Sequence, residues 1–243
     1  MNRAALIMAG GNSGRMRAEG CQTHKALRTV GGSPLIEHNL RKLFSSEFRD
    51  VSVAVSKSEE DLRAWLAGPG LDCAVDYRAR LRILTEDKPL GTIGAARQMI
   101  DMAEDLLVLN ADNLTDLDLH AFFDFHLKAG AALTVASHRE PFRIPFGQLE
   151  TDGARVTGYQ EKPVFPVLVS SGCYILNRRA MYFIPPDTQM QAPDLINLLI
   201  DSAEMVVCFH HQSWWVDVNN EAALALAEAA FARKPLLAAA AHA

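Results

Sequence analysis

Ala9-Gly10-Gly11-Asn12-Ser13-Gly14-Arg15-Met16 puts three glycines and a guanidinium directly after the apolar run Ala4–Ala9. Glycines let backbone N–H groups close on a phosphate chain, and Arg15 offers forked donors to phosphate oxygens. A purely structural turn would use the same residues. The spacing excludes a P-loop, since no Gly-Lys-Ser/Thr follows, and it departs from the G-x-G-x-x-G dinucleotide fingerprint. Lys25, in His24-Lys25-Ala26-Leu27, follows closely; alone it reads as a solvated loop lysine. Asp112 stands directly after the apolar segment Leu106–Leu109, where it could ligate a cation or simply cap the next element. Glu86-Asp87-Lys88-Pro89-Leu90-Gly91-Thr92 leads into a helical pattern over Thr92–Met102, and a helix start is itself a place for anionic ligands.

These residues need elements to hold them. Ala4–Ala9, Val51–Val55 and Leu106–Leu109 are short continuous apolar runs, as expected of strands buried on both faces. Leu35, Ile36, Leu40, Leu43 and Phe44 recur at helical spacing behind Pro34, and Ser58 is expected to cap the helix that begins with Glu59-Glu60-Asp61. Leu119, Phe122, Phe123 and Leu127 stripe a further helix. Alternation of strand and helix over the first 135 residues implies right-handed crossovers and a mostly parallel sheet. The second part reads differently. Phe146–Glu150 and Arg155–Gln160 flank Asp152-Gly153 as a hairpin. Val167–Leu176 and Met205–Phe209 read as strands, Asp194–Asp201 and Asn219–Arg233 as helices. In open α/β sheets ligands sit beyond the carboxyl ends of the strands, where the residues singled out above fall.

The chain has 243 residues, 49% hydrophobic and 22% charged, which excludes wholesale disorder. A net charge of −5 argues against a nucleic-acid-coating protein. It leaves room for an anionic small substrate, because a local cationic cluster or a bound cation reverses the field inside a cleft. Cys21, Cys73, Cys173 and Cys208 form no zinc or redox motif and are expected as reduced thiols of a cytoplasmic protein. No secretory leader and no membrane span is expected. His120, His126, His210 and His211 lack metal-ligand partners at useful spacing and read as structural or surface residues.

Taken together, AGGNSGRM, HKAL and GGSPLIEH resemble the opening of the sugar-1-phosphate nucleotidyltransferases, nearest in character to the guanylyltransferases of mannose or heptose 1-phosphates. The likeness runs to about residue 230. Glu86–Ala95 resembles E-x-x-P-L-G-T-x-G-[AS], Leu107–Leu114 resembles V-x-N-G-D-x-[LI], Tyr159–Pro163 resembles F-x-E-K-P, and Trp214–Asn219 resembles W-x-D-[IV]-G. The resemblance implies a three-layer, Rossmann-like α/β fold with a mostly parallel mixed sheet, the nucleotide-diphospho-sugar transferase fold. It implies one domain over 1–235, with a nucleotide-binding half (1–135) and a sugar-binding half (136–235), before a frayed Ala-rich tail (236–243). No left-handed β-helix extension is expected after the core.

The resemblance also assigns roles. Arg15 and Lys25 would hold phosphates. Ala9, Gly10, Gly11, Asn12, Ser13, Gly14, Glu86, Pro89, Gly91, Thr92, Asn110 and Asp112 would line the nucleotide site. Gly147, Glu161, Lys162, Ser170, Gly172 and Trp215 would line the sugar site, with Lys162 on the sugar phosphate. Asp112 and Asp217 would bind Mg2+. Five positions depart from the pattern: His24 and Ala26 for proline, Ala111 and Asn219 for glycine, and Ser170 for asparagine.

The implied reaction transfers a nucleotidyl group from a nucleoside triphosphate, GTP first, to a sugar 1-phosphate. Neither nucleic acid nor membrane is an expected partner, and a homodimer is compatible with the sequence. Two rivals stay open: a nucleotide-sugar-dependent glycosyltransferase, for which Asp116-Leu117-Asp118 would be the metal motif, and an inactive ligand-binding regulator.

Overall fold

The computed structural model describes residues 3–10 and 23–233. Its centre is a seven-stranded sheet whose first strand, β1 (Ala4–Ala9), is buried at every position. β1 lies between two parallel neighbours, β4 (Asp50–Ser56) and β6 (Asp105–Asn110), which explains an unbroken apolar run: both faces are covered. A small ladder, β2 (Thr29–Val30) with β3 (Ser33–Pro34), precedes the first helix.

That helix, α1 (Leu35–Ser45), buries Leu35, Ile36, Leu40, Leu43 and Phe44 completely, the stripe expected from spacing. Each such side chain contributes about 1.5–3 kcal/mol by leaving water. Pro34 occupies the N-cap position, where its missing N–H costs nothing.

Two sequence expectations are corrected in this half. Ser58 does not cap the next helix, α2 (Glu60–Trp65); its hydroxyl meets that of Ser56 at 2.9 Å, and Glu59 holds the cap position without a side-chain bond. The chain continues through a wide turn at Leu66–Gly70 into α3 (Leu71–Asp76). The helix expected over Thr92–Met102 is only a 3-10 helix at Gly94–Met99, with Ile93 N–H, at its N-cap, donating outward to the carbonyl of Met190 at 3.2 Å.

Two strands of the seven-stranded sheet escaped the sequence reading, along with the short β2 and β3 and the short strands Asn113–Thr115 and Trp215–Asp217 outside it. β5 (Arg80–Glu86) pairs parallel with β4 at the sheet edge, and its arginines Arg80 and Arg82 reach Asp50 at 3.3 and 3.4 Å. Charges on an edge strand suit solvent but break the apolar run that betrays a strand. β8 (Leu133–Arg143) was hidden because it is buried only over Leu133–Ser137.

After β7 (Asn113–Thr115), Asp118 caps α4 (Leu119–Ala129) by accepting from the N–H groups of His120 and Ala121 at 2.9 and 3.0 Å. Leu119, Phe122 and Phe123 are buried as expected, while Leu127 is 43% exposed. The hairpin β9 (Gln148–Asp152) and β10 (Arg155–Gln160) turns at the expected Asp152-Gly153.

β11 (Val164–Asn177) is longer than expected. It enters antiparallel between β6 and β8, and its outer half forms an exposed arm with β8 before the register shifts between Ser170 and Tyr174. α5 (Arg178–Tyr182) and α6 (Ala192–Asp201) follow. β12 (Val206–His210) closes the sheet parallel to β8. β13 (Trp215–Asp217) pairs with β7, and α7 (Glu221–Arg233) ends the described chain.

Strand order across the sheet is β12-β8-β11-β6-β1-β4-β5, so residues from both halves of the sequence build one layer. Helix α1 and α4 contribute to one core beneath it; α5, α6 and Gly94–Met99 contribute to the other. Among the described residues, no helix is long and apolar enough to cross a membrane.

Candidate active site

Strand β6 ends at Asn110, and Ala111 N–H donates to the carbonyl of Met8 at 3.1 Å, which ties the next residue, Asp112, to the end of β1. β7 then pairs antiparallel with β13, bringing Asn113 opposite Asp217. Val218 N–H donates to the carbonyl of Asp112 at 2.9 Å. Two aspartates remote in sequence are thereby stitched together at the carboxyl edge of the sheet.

A third remote group joins them. Lys25 Nζ donates to Asp112 Oδ2 at 2.5 Å. Lys25 opens a short turn, Lys25–Leu27, capped by His24 Nδ1 on Ala26 N–H at 3.1 Å, and His24 N–H is held by Asp61 at 2.7 Å. The lysine therefore projects from an anchored loop.

Asp217 is half-buried. Its Oδ2 accepts from Asn219 Nδ2 at 3.0 Å, while Oδ1 is buried with no hydrogen-bond partner among the described residues. Burial raises the Asp217 carboxyl above the usual range and the charge of Asp112 adds to this, against the pull of Lys25 and Asn219. A cation between the two carboxylates would relieve both effects.

Beside this trio opens a cleft of about 450 Å³. Gly10 and Lys25 border it, with Pro89, Gly91 and Thr92 from the loop after β5, Asn110 at the end of β6 and Asp112 just after it, and Gln189 and Gln191 from the segment before α6. The Pro89–Thr92 loop is pinned to that segment. Met190 N–H donates to the carbonyl of Leu90 at 3.0 Å, and Ala192 N–H donates to Thr92 Oγ1 at 2.8 Å.

Glu86 ends β5 and is buried against Gly10: a Cβ added to Gly10 would stand 2.2 Å from Glu86 Oε2. Leu90 N–H donates to that oxygen at 3.2 Å, and Oε1 has no partner among the described residues. Burial raises this carboxyl too, opposed by the Leu90 N–H.

On the other side, Ser171 is a hub. Its carbonyl accepts from Asn113 Nδ2 at 2.9 Å and from Trp215 Nε1 at 2.8 Å. Gly172, at φ +66°, turns the chain so tightly here that a Cβ would lie 2.2 Å from Asn113 Nδ2. Ser170 donates to Tyr174 Oη at 3.2 Å.

The structure thus brings Lys25, Asp112 and Asp217 together, gathers Gly10, Pro89, Gly91, Thr92 and Asn110 around one cleft with Glu86 behind Gly10, and sets Trp215 and Gly172 against Asn113. Ala9 is buried at the end of β1. Gly147, Glu161 and Lys162 lie on the outer arm: Tyr159 Oη donates to Glu161 at 2.9 Å, and Glu161 pairs with Lys162 at 3.9 Å. Among the described residues neither contacts Asp112 or Asp217. Gly11, Asn12, Ser13, Gly14 and Arg15 lie outside the described residues, as does the tail 236–243.

Sequence reasoning missed Asn113, Ser171, Gln189 and Gln191. The Gln191 and Asp194 spacing of a capping box was a usable signal for the last. His138 was missed as well. His126 is structural as expected, bonded to Thr134 at 2.7 Å and Asp105 at 3.1 Å. Asp118 caps α4 through Oδ1, which accounts for an acid at this place without the metal motif of the glycosyltransferase rival.

Residues 4–234 match the family model described as nucleotidyl transferase. The chain belongs to the nucleotidyl transferase family.

Similar proteins include a mannose-1-phosphate guanyltransferase of Candida albicans, 26% identical over 228 residues, which cover 88% of this nucleotidyl transferase and 60% of that protein. A glucose-1-phosphate cytidylyltransferase of Salmonella typhi is 22% identical over 236 residues, 89% of this chain and 91% of that one. This nucleotidyl transferase spans 59% to 60% of the length of the first curated relatives it matches. Among solved structures, HddC from Yersinia pseudotuberculosis complexed with GMP-PN superposes with a TM-score of 0.72 at 18% identity, covering 94% of this chain and 99% of that one. That likeness concerns the fold, which is the three-layer mixed α/β arrangement expected from the motifs.

Proposed function

We propose that this nucleotidyl transferase joins a nucleoside triphosphate, GTP by preference, to a sugar 1-phosphate, giving a nucleoside-diphosphate sugar and pyrophosphate. The observation that carries this reading is the convergence of Lys25, Asp112 and Asp217 from three remote stretches beside a cleft at the carboxyl edge of the sheet.

A divalent ion fits this convergence. Two mutually repelling carboxylates, one with a buried oxygen lacking a partner, match magnesium, which takes one or two carboxylates and completes its shell from phosphate oxygens and water. Among the described residues no group of three or more His, Cys, Asp or Glu side chains could hold a metal, so an all-protein cage is not on offer. Asp112 and Asp217 would hold the ion, and when bound it supplies positive charge between the reacting phosphates.

The chain's own residues do the rest. A sugar phosphate carrying roughly −1.5 to −2 charges already has an ionised oxygen, so no protein nucleophile or base is required. That oxygen attacks the α-phosphorus in line; the bond from α-phosphorus to the bridging oxygen breaks, and pyrophosphate leaves. Lys25 neutralises charge and orients Asp112. Arg15 and, on the outer arm, Lys162 take the phosphate roles the motifs imply. Catalysis rests on positioning and charge neutralisation.

Guanine is supported by Glu86. Adjacent N1–H and N2–H donors of that base call for a carboxylate, and Glu86, buried behind the cleft-lining Gly10, keeps an oxygen without a partner among the described residues. The likeness to a guanyltransferase and to a fold neighbour complexed with GMP-PN agrees with it.

The test is a panel of five nucleoside triphosphates against mannose and glucose 1-phosphates, with pyrophosphate release as readout. GTP is expected to lead about ten-fold or more, and Glu86→Gln to erase that lead. A lead by another base overturns the GTP assignment; no turnover with any pair overturns the reaction.

A further inference from the structure

Strand β12 stops at His210 while β8 runs on past it, and a cavity of about 490 Å³ opens at this corner of the sheet. It lies on the same carboxyl edge as the cleft, two to three strands from β6, about 10–15 Å away at ordinary strand spacing. Its walls are rich in donors: His138, Arg139, His210, His211, Gln212 and Ser213. The volume is in the usual range of small-molecule sites.

Each of its imidazoles is held. Ser137 Oγ meets His210 Nδ1 at 2.9 Å. Ser171 Oγ bridges His138 Nδ1 at 2.9 Å and His211 Nε2 at 2.8 Å. The His138 ring packs on Trp215 with centroids 4.6 Å apart. Trp215 and Asp217 are two residues apart on β13 and share its face. The His138–Trp215 contact therefore links the cavity's lining to the strand that carries Asp217.

The free groups are cationic or donating. Among the described residues Arg139 has no ion-pair partner, and His211 Nδ1 is buried without a hydrogen bond. Two acids lie near: Glu140 is turned to His138 Nε2, at 3.4 Å, and Asp116 is close enough to His211 to act on its charge. Arg139 shares the cavity's lining with three anchored histidines, and a guanidinium with imidazole donors is a recognition set for a planar or tetrahedral anion.

We propose that this cavity receives the end of the sugar 1-phosphate farthest from its anomeric phosphate, and that the group it takes there is an anion, either a second phosphate or a carboxylate. The inference rests on the nucleotidyl-transfer reading, since that reading puts the anomeric phosphate beside Asp217. It adds a substrate class to that reading. Arg139 supplies the fixed charge, His210 and Gln212 supply further donors, and Leu168 offers an apolar patch to the carbon skeleton.

Three substrates test it with the full chain: hexose 1-phosphate, hexose 1,6-bisphosphate and hexuronic acid 1-phosphate, each with the preferred triphosphate. One or both anionic sugars are expected to exceed the plain one in kcat/KM by about ten-fold, and which one does so identifies the anion. Arg139→Ala and His210→Gln change exposed side chains, so folding is checked by Tm alone. Together they are expected to lower kcat/KM for the preferred anionic sugar at least about ten-fold more than for the plain one. Equal use of all three sugars, or an equal loss on all three in the variant, overturns the proposal. Turnover of none of them, with any triphosphate, instead overturns the nucleotidyl-transfer reading beneath it.

Discussion

Lys25 Nζ and Asp112 Oδ2 are 2.5 Å apart, although 87 positions separate the two residues in the chain. Both side chains are partly withdrawn from water, at 26% and 12% exposure, which strengthens the pair and leaves a charge unbalanced if either partner is removed. Lys25→Ala is expected to raise the KM for the triphosphate and to lower kcat about 100-fold, while Lys25→Arg keeps part of both. Steady-state kinetics at varied triphosphate reads the split. Unchanged kinetics in Lys25→Ala would remove the lysine from the reaction.

Gly10 is packed directly against Glu86: an added Cβ would sit 2.2 Å from a buried carboxylate oxygen. Gly10→Ala should cost about 1–3 kcal/mol of stability by overpacking. Pairing it with Glu86→Ala should restore most of that loss, because the clashing atoms are then gone. Denaturant unfolding of the two single variants and the double one closes the cycle. Additive losses would mean that the close approach is not what Gly10 provides.

Stability should also depend on pH through Glu86. Burial raises its carboxyl, so the fold prefers the protonated form. That contribution is complete below about 4.3, the ordinary glutamate value, and is lost as pH rises through the higher folded value. Asp217 is shifted the same way and adds a contribution of the same sign. Glu86→Gln keeps a neutral side chain at every pH, so its Tm should fall less than that of the wild type between about pH 4 and pH 7. Parallel Tm curves would count against the raised carboxyl.

Much of the framework was legible because it is written in burial. β1, β6 and α1 are apolar at positions whose spacing matches their secondary structure, so they stood out in the sequence. β5 and the outer half of β8 did not, since one is an edge strand carrying arginines and the other projects into solvent. At the site, Asp112 was legible as an acid ending a buried strand. Asp217 rested on its motif, because only the β7–β13 pairing, which sets it opposite Asn113, discloses that it comes beside Asp112. Ser171 and His138 gave no local signal at all. Their role comes from a carbonyl and a hydroxyl shared among four elements, which no single stretch of chain records.

Gly172 should be as sensitive as the carboxylates, for a steric reason. At φ +66° an alanine is strained, and its Cβ would press on Asn113 Nδ2, the group that ties β7 to Ser171. Gly172→Ala is expected to lower Tm by several degrees, with about 1–3 kcal/mol of strain, and to reduce kcat further than the fraction unfolded explains. Activity lost only in proportion to unfolding would limit Gly172 to a structural role.

The convergence of Asp112 and Asp217 is tested most directly by pyrophosphate release from triphosphate and sugar 1-phosphate, measured for Asp112→Asn and Asp217→Asn beside the wild type at saturating magnesium. Both variants should keep the wild-type circular dichroism spectrum and lose about 100-fold or more in kcat. Wild-type turnover in either one rules out a shared role for these two carboxylates in nucleotidyl transfer.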